Sequence, residues 1–287
     1  MAGAFLLGLL AICAAVLLPV GEIRDGAGPP AQGEAPASPG APGEGRGAGP
    51  VPSEDTPPRD LSPHRIAIVV DGCGYDPTKD AEWLRFPKRI TLAVIPFGPS
   101  SRRLAQSAHA RDFGVLIHVP MEPEGRVSDR TSGFRFRVGM PKEEMAALLD
   151  RMIAENPWAS GVSNYMGSAF TADPGSMAAF ASLLRSRGMF FLDSMTSSRS
   201  VAVGAAQKEG VPVARRDVLL DGEMSPEEMR RQWKSALSVV KEKGTAILLS
   251  HGGKKSLRAI LDMVPDLEAE GIQAVTLSEL FPKERTP

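Results

Sequence analysis

Five ionisable or polar side chains stand immediately after short apolar runs: Asp71 after IAIVV, His118 within VLIHV, Asn164 in GVSN, Asp193 after MFFL and His251 after TAILLS. A carboxylate and two imidazoles on separate segments can do one of two kinds of chemistry. They can hold a divalent metal as a two-His, one-carboxylate set, or they can move protons as base and acid. Each also has a plain structural reading. Asp71, beside Gly72 and Gly74, could cap a turn, and Asp193, followed by Ser and Thr, could join a hydrogen-bond network. What favours chemistry is recurrence at one kind of place, the end of an apolar run.

The runs are residues 66–70, 90–95, 115–119, 161–164, 189–193, 211–214, 245–250 and 272–277. Most are too short for helices and are rich in β-branched residues, which predicts strands. Amphipathic segments lie between them. Ser100 to Asp112 ends at Gly114, and Pro141 opens a segment running to Glu155. Asp173-Pro174 begins another that closes at Gly188, Ser225-Pro226-Glu227-Glu228 reads as a capping box, and Ser256 to Glu270 carries Pro265 as a kink or break. Strands separated by helices imply a parallel α/β sheet, and seven or eight such units suit a closed or nearly closed barrel, with a doubly wound open sheet as the alternative. In either, a site forms beyond the carboxyl ends of the strands.

The chain has 287 residues and 43% hydrophobic content, enough for a substantial core, and 33 basic residues nearly balance 34 acidic ones. No cluster of Lys and Arg is interleaved with aromatic residues, so nucleic acid is not an expected partner. Gly-rich phosphate loops, serine nucleophile elbows and zinc-finger spacings are absent from the sequence. Residues 1–20 include an uncharged apolar stretch, AFLLGLLAICAAVLLPV, which reads as an export signal or an N-terminal membrane anchor. Residues 21–64, dominated by Pro, Gly and Ala, read as a disordered linker, residues 65–282 as the folded domain and 283–287 as a tail. The expected location is therefore extracytoplasmic or periplasmic, with membrane contact through the N-terminal segment only. Cys73 is alone beyond the leader, so no disulfide is expected in the domain. The charged stretch from Glu122 to Met140 suits a substrate-facing lid or a surface loop, and Phe134 and Phe136 alternating with Arg135 and Arg137 predict a short ribbon.

The segments IAIVVDGCGYD, GVLIHVPMEPEG, GVSNYMGSAFT, FFLDSMTSSRSVA, RRDVLLDG and AILLSHGG, in this order, resemble the divergent polysaccharide deacetylase family. The resemblance implies an irregular (β/α)-barrel and metal-dependent removal of acetyl groups from an envelope polysaccharide or peptidoglycan-type glycan. In that chemistry a metal, usually zinc, polarises the acyl carbonyl and brings the pKa of its bound water to around 7. Here the resemblance implies Asp71, His118 and His251 as metal ligands, or Asp71 as base and His251 as acid, with Glu122, Asn164, Tyr165 and Asp193 facing the substrate. The sequence departs from the family pattern twice. Gly72 stands where a second Asp is usual, and Tyr165 stands where a His is usual. The metal is accordingly a zinc-type ion if any, and a glycan-binding domain without activity is the alternative.

Overall fold

The computed structural model describes residues 63–125, 127–222 and 225–281. The expected leader, most of the linker and the tail lie outside the described residues. Among those described, no helix is long and apolar enough to cross a membrane.

Among the described residues nine strands make one sheet: β1 (Arg65–Cys73), β2 (Thr91–Val94), β3 (Gly114–Met121), β4 (Gly161–Met166), β5 (Phe190–Asp193), β6 (Val213–Arg215), β7 (Val218–Leu219), β8 (Thr245–His251) and β9 (Gln273–Val275). Their spatial order is β6-β5-β4-β3-β2-β1-β8-β7, and every pairing is parallel. β9 pairs the start of β1, whose later residues pair β2 on register Val69 with Thr91. The α/β barrel predicted from the alternation of runs and helices is thus present, with a seam between β6 and β7.

Two residues stitch that seam from opposite sides. Arg216 donates its backbone N–H to Asp193 O at 3.1 Å and its guanidinium to Ser194 O at 2.6 Å and Met195 O at 3.2 Å, all on the β5 side. Asp217 donates its N–H to Ile247 O at 3.0 Å and accepts the Ile247 N–H at 2.9 Å, on the β8 side.

Helices connect the strands: α1 (Pro77–Trp83), α2 (Ser101–His109), α3 (Lys142–Glu155), α4 (Pro174–Arg185), α5 (Ala202–Lys208), α6 (Pro226–Lys243), α7 (Lys254–Met263) and α8 (Pro265–Ala269). The cap signals act as read. Asp173 accepts the Ser176 N–H at 2.7 Å, and Ser225 accepts the Glu228 N–H at 3.1 Å. Glu228 does not return the bond, because its carboxylate is taken by Arg231 and Gln232. Pro265 splits the last helical segment into α7 and α8, since its ring removes a donor and collides with the preceding turn. The ribbon expected around Phe134 is instead a short 3-10 turn, Ser132–Phe134, followed by a single bridge from Phe136 to Met121.

Strand side chains alternate between two environments. Ala67, Val69, Ala93, Leu116, Phe190, Leu192, Ile247 and Leu249 pack together as the inner layer. The opposite phase, including Ile66, Ile68, Val70, Ile117, Val119, Val162 and Phe191, packs under the helices. Burial of this double layer is what stabilises the domain, at about 25 cal/mol per Å² of apolar surface.

Candidate functional site

The inner phase decides which polar residues meet. Continuing 67, 69 along β1 gives Asp71; continuing 116 along β3 gives His118; continuing 247, 249 along β8 gives His251. β4 contributes Ser163 and Tyr165 in the phase opposite to Val162, and the run after β7 contributes Asp221. Parallel register places Asp71 beside His251 and His118 beside Ser163.

A cavity of about 420 Å³ opens at these strand ends, lined by Asp71, Tyr75, Arg130, Tyr165, His251 and their neighbours. Gly72, at φ +72°, lies on its wall, and a Cβ built there would meet nothing within 4 Å. Gly74, at φ +105°, is locked by contact instead, since a Cβ would fall 2.5 Å from Ser101 Oγ. The turn after β1 is fastened by buried Asp80, which accepts the Gly74 N–H and the Ser100 hydroxyl.

Asp71 is 6% exposed, and burial pushes its pKa up to about 6, against the lowering pull of His251 and Arg216. His118, 2% exposed, is pushed down to about 3, again mainly by burial, so it is neutral at physiological pH. Its Nδ1 lies 2.8 Å from Ser163 Oγ and its Nε2 3.7 Å from Asp71 Oδ2. Ser163 Oγ and His118 Nδ1 share a hydrogen bond, and the other ring nitrogen faces the Asp71 carboxyl.

His251 has the opposite character. Its Nδ1–H donates to Asp221 Oδ1 at 2.8 Å, and this bond raises its pKa to about 9, with the charges of Asp71 and Asp221 reinforcing it. Asp221 is completely buried, yet its pKa is lowered: burial pushes it up, but the bonds from His251, Ser256 and the His251 backbone outweigh that. Ser250 also donates to it at 3.1 Å. Asp221 and Arg216 were not singled out by the sequence reading. Asp221 follows Val-Leu-Leu as Asp71 follows Ile-Val-Val, so the same rule applied to RRDVLLDG reaches it. Arg216 lies in the two-residue seam, where no periodicity exists to read.

The remaining expected residues separate. Tyr165 lines the cavity; its ring meets His118 edge-on at 5.4 Å and its hydroxyl donates to Asp129 at 3.2 Å. Asn164 and Asp193 are in the outer phase and brace the backbone. Asn164 accepts the Ser194 N–H at 2.8 Å and donates to Met166 O at 2.9 Å, while Asp193 accepts the Met195 N–H at 2.8 Å and the Ser200 hydroxyl at 2.7 Å. Met166 and Met195 have left-handed backbones, φ 54° and 53°, so the polar residues of NYMGS and LDSMTS hold two strained turns at the rim of the site. Glu122 lies away from the cavity, its carboxylate accepting the Val138 N–H at 2.7 Å, which ties down the loop that follows β3.

Asp71, His118 and His251 do not close around a common ion position. Among the described residues no three His, Cys, Asp or Glu side chains gather as a metal cluster. Two neighbouring positions supply no further ligand: Gly72 offers no side chain, and Tyr165 offers a phenol whose pKa is raised by burial and by Asp129, which keeps it a neutral and poor ligand. As placed, these side chains do not gather into a metal cluster. Asp71 and His251 do fit proton transfer, with a largely buried carboxylate as acceptor and a protonated, Asp-backed imidazole as donor on the neighbouring strand.

The family model for divergent polysaccharide deacetylase matches residues 68–281. The uncharacterized protein YibQ of Escherichia coli K12 is 32% identical over 217 residues, covering 76% of this chain and 67% of that protein. An uncharacterized protein of Haemophilus influenzae is 31% identical over 221 residues, 77% of this chain and 78% of its own. The crystal structure of an uncharacterized Agrobacterium tumefaciens C58 protein superposes with a TM-score of 0.73 at 28% identity, covering 78% of this chain and 92% of its own. The family model spans most of the chain and both relatives exceed 30% identity, and the chain belongs to the divergent polysaccharide deacetylase family.

Proposed function

We propose that this protein binds an acetylated glycan of the cell envelope at the strand-end cavity and does so without a catalytic metal. The observation that carries the reading is Tyr165: beside the Asp71–His118 pair, where a third donor would complete a metal site, stands a phenol bonded to Asp129. A cavity walled by two tyrosines, an arginine, a lysine, three carboxylates and an imidazole suits a sugar, whose faces are apolar and whose edges are hydroxyls. Export and tethering through residues 1–20 and 21–64 would place the domain among such glycans. A second reading, acid–base hydrolysis of an acetyl ester, is favoured by the adjacency of Asp71 and His251.

Calorimetry with N-acetylglucosamine oligomers, zinc retention after dialysis and acetate release separate these readings. Binding is expected with neither zinc retained at micromolar level nor acetate released, and the double variant Gly72→Asp/Tyr165→His is expected to gain zinc. Stoichiometric zinc in the unaltered protein together with acetate release overturns the metal-free reading. Metal-independent acetate release that is lost in Asp71→Asn selects the ester hydrolase. No binding of any oligomer removes the glycan reading.

A further inference from the structure

We infer that the cavity takes a glycan bearing a carboxylate, and that Arg130 is the residue that recognises it. The inference rests on the glycan-binding reading and narrows its ligand to acidic sugars. Arg130 lines the same cavity as Asp71, Tyr75 and His251, and its guanidinium lies over the Tyr75 ring at 4.8 Å. That ring is itself anchored by its hydroxyl, which donates to Pro96 O at 3.4 Å. A guanidinium stacked by its face keeps its edge N–H groups available, and that fork matches a carboxylate.

The acidic groups around it are committed elsewhere. Asp76 accepts the Thr78 and Lys79 N–H groups at 3.1 Å each and pairs with the Lys79 ammonium at 3.2 Å, which settles that cation too. Asp80 is taken by Gly74 and Ser100. Asp129, next in sequence, holds Arg135 at 2.7 Å, the Thr131 hydroxyl at 2.7 Å and the Tyr165 hydroxyl. Asp71 lies buried against His118. Among the described residues Arg130 makes no ion pair, so its guanidinium is a positioned cation that none of the cavity's own carboxylates, Asp71, Asp76 and Asp80, contacts. A neutral glycan would leave that cation unused; a uronic acid or a lactyl-substituted sugar would fill it.

The test is calorimetry on the full chain with three disaccharides at low and at high salt. They are di-N-acetylchitobiose, the N-acetylglucosaminyl–N-acetylmuramic acid disaccharide, and the methyl ester of the latter, which keeps the lactyl bulk and removes the charge. The acidic disaccharide should bind roughly five- to tenfold tighter than either neutral one at low salt, with the gap narrowing as salt rises. Arg130→Gln should abolish the gap, bringing the acidic disaccharide down to the affinity of its methyl ester, and an unchanged melting temperature will show that the exposed substitution leaves the fold alone. Equal affinity for the acid and its ester, or equal loss for all three sugars in Arg130→Gln, overturns this inference and leaves glycan binding standing. No binding of any of the three overturns both.

Discussion

At Asp71 and His251 two neighbouring strand ends carry groups displaced in the same direction for opposite reasons. Burial holds the Asp71 proton to about pH 6, and the Asp221 bond holds the His251 proton to about pH 9. Between those values the pair is a carboxylate beside an imidazolium, the state suited to accepting one proton and delivering another. His251 therefore has a higher pKa folded than unfolded. Its contribution to stability is complete below about 6.5 and is lost as pH rises through about 9. Following the His251 ring protons by NMR should give a midpoint near 9, and Asp221→Asn should bring it down toward 6.5. A midpoint unchanged in Asp221→Asn would show that the bond does not set the charge. His118 moves the other way: its stability contribution is present above about 6.5 and fades as pH falls toward 3.

The elements that present these groups are short strands closed by strained turns. Asn164 is 1% exposed and satisfies both sides of two such turns, the Ser194 N–H and the Met166 carbonyl. Asn164→Ala leaves a buried donor without a partner and should lower unfolding free energy by about 2 kcal/mol, read by urea denaturation. A loss below about 0.5 kcal/mol would mean that the turns hold themselves. This role marks the boundary of what could be read without coordinates. Strand positions, helix caps, the break at Pro265 and the placement of Asp71, His118 and His251 at strand ends are legible because apolar runs end at polar residues. The direction of each side chain is legible only through phase. Asn164 and Asp193 stand out of step with the inner layer, and Tyr165 stands in step, as Val162 and Phe191 beneath the helices show. Arg216 stands between strands of three and two residues, too short for any period to declare itself, whereas Asp221 is legible only as the polar residue that ends Val-Leu-Leu. Pairings such as His251 with Asp221 depend on β7 lying against β8, a long-range fact that no local pattern contains.

For the whole molecule, holding a carboxylate in the core at neutral pH is a standing destabilisation. Asp71 binds its proton more tightly folded than unfolded, so stability falls as pH rises from about 4 to about 6 and stays reduced above that. The shift corresponds to an upper limit on the order of 3 kcal/mol. Asp71→Asn should thus raise the melting temperature by several degrees at pH 7.5 and lose that advantage near pH 4, as measured by thermal denaturation. An equal or lower melting temperature at pH 7.5 would show that the carboxylate is supported by its surroundings. The seam between β6 and β7 gives this a mechanical side. Every other strand boundary is a ladder of amides, but here two charged residues bridge the gap, each with its backbone N–H and its side chain, and Arg216 is also one of the charges that restrain Asp71. Because Arg216 lowers the proton affinity of Asp71, moving that cation away would raise it, and protonation of the acid is thermodynamically linked to closure of the seam. A ligand that prefers one state of Asp71 therefore also favours one placing of Arg216 in the wall beside it.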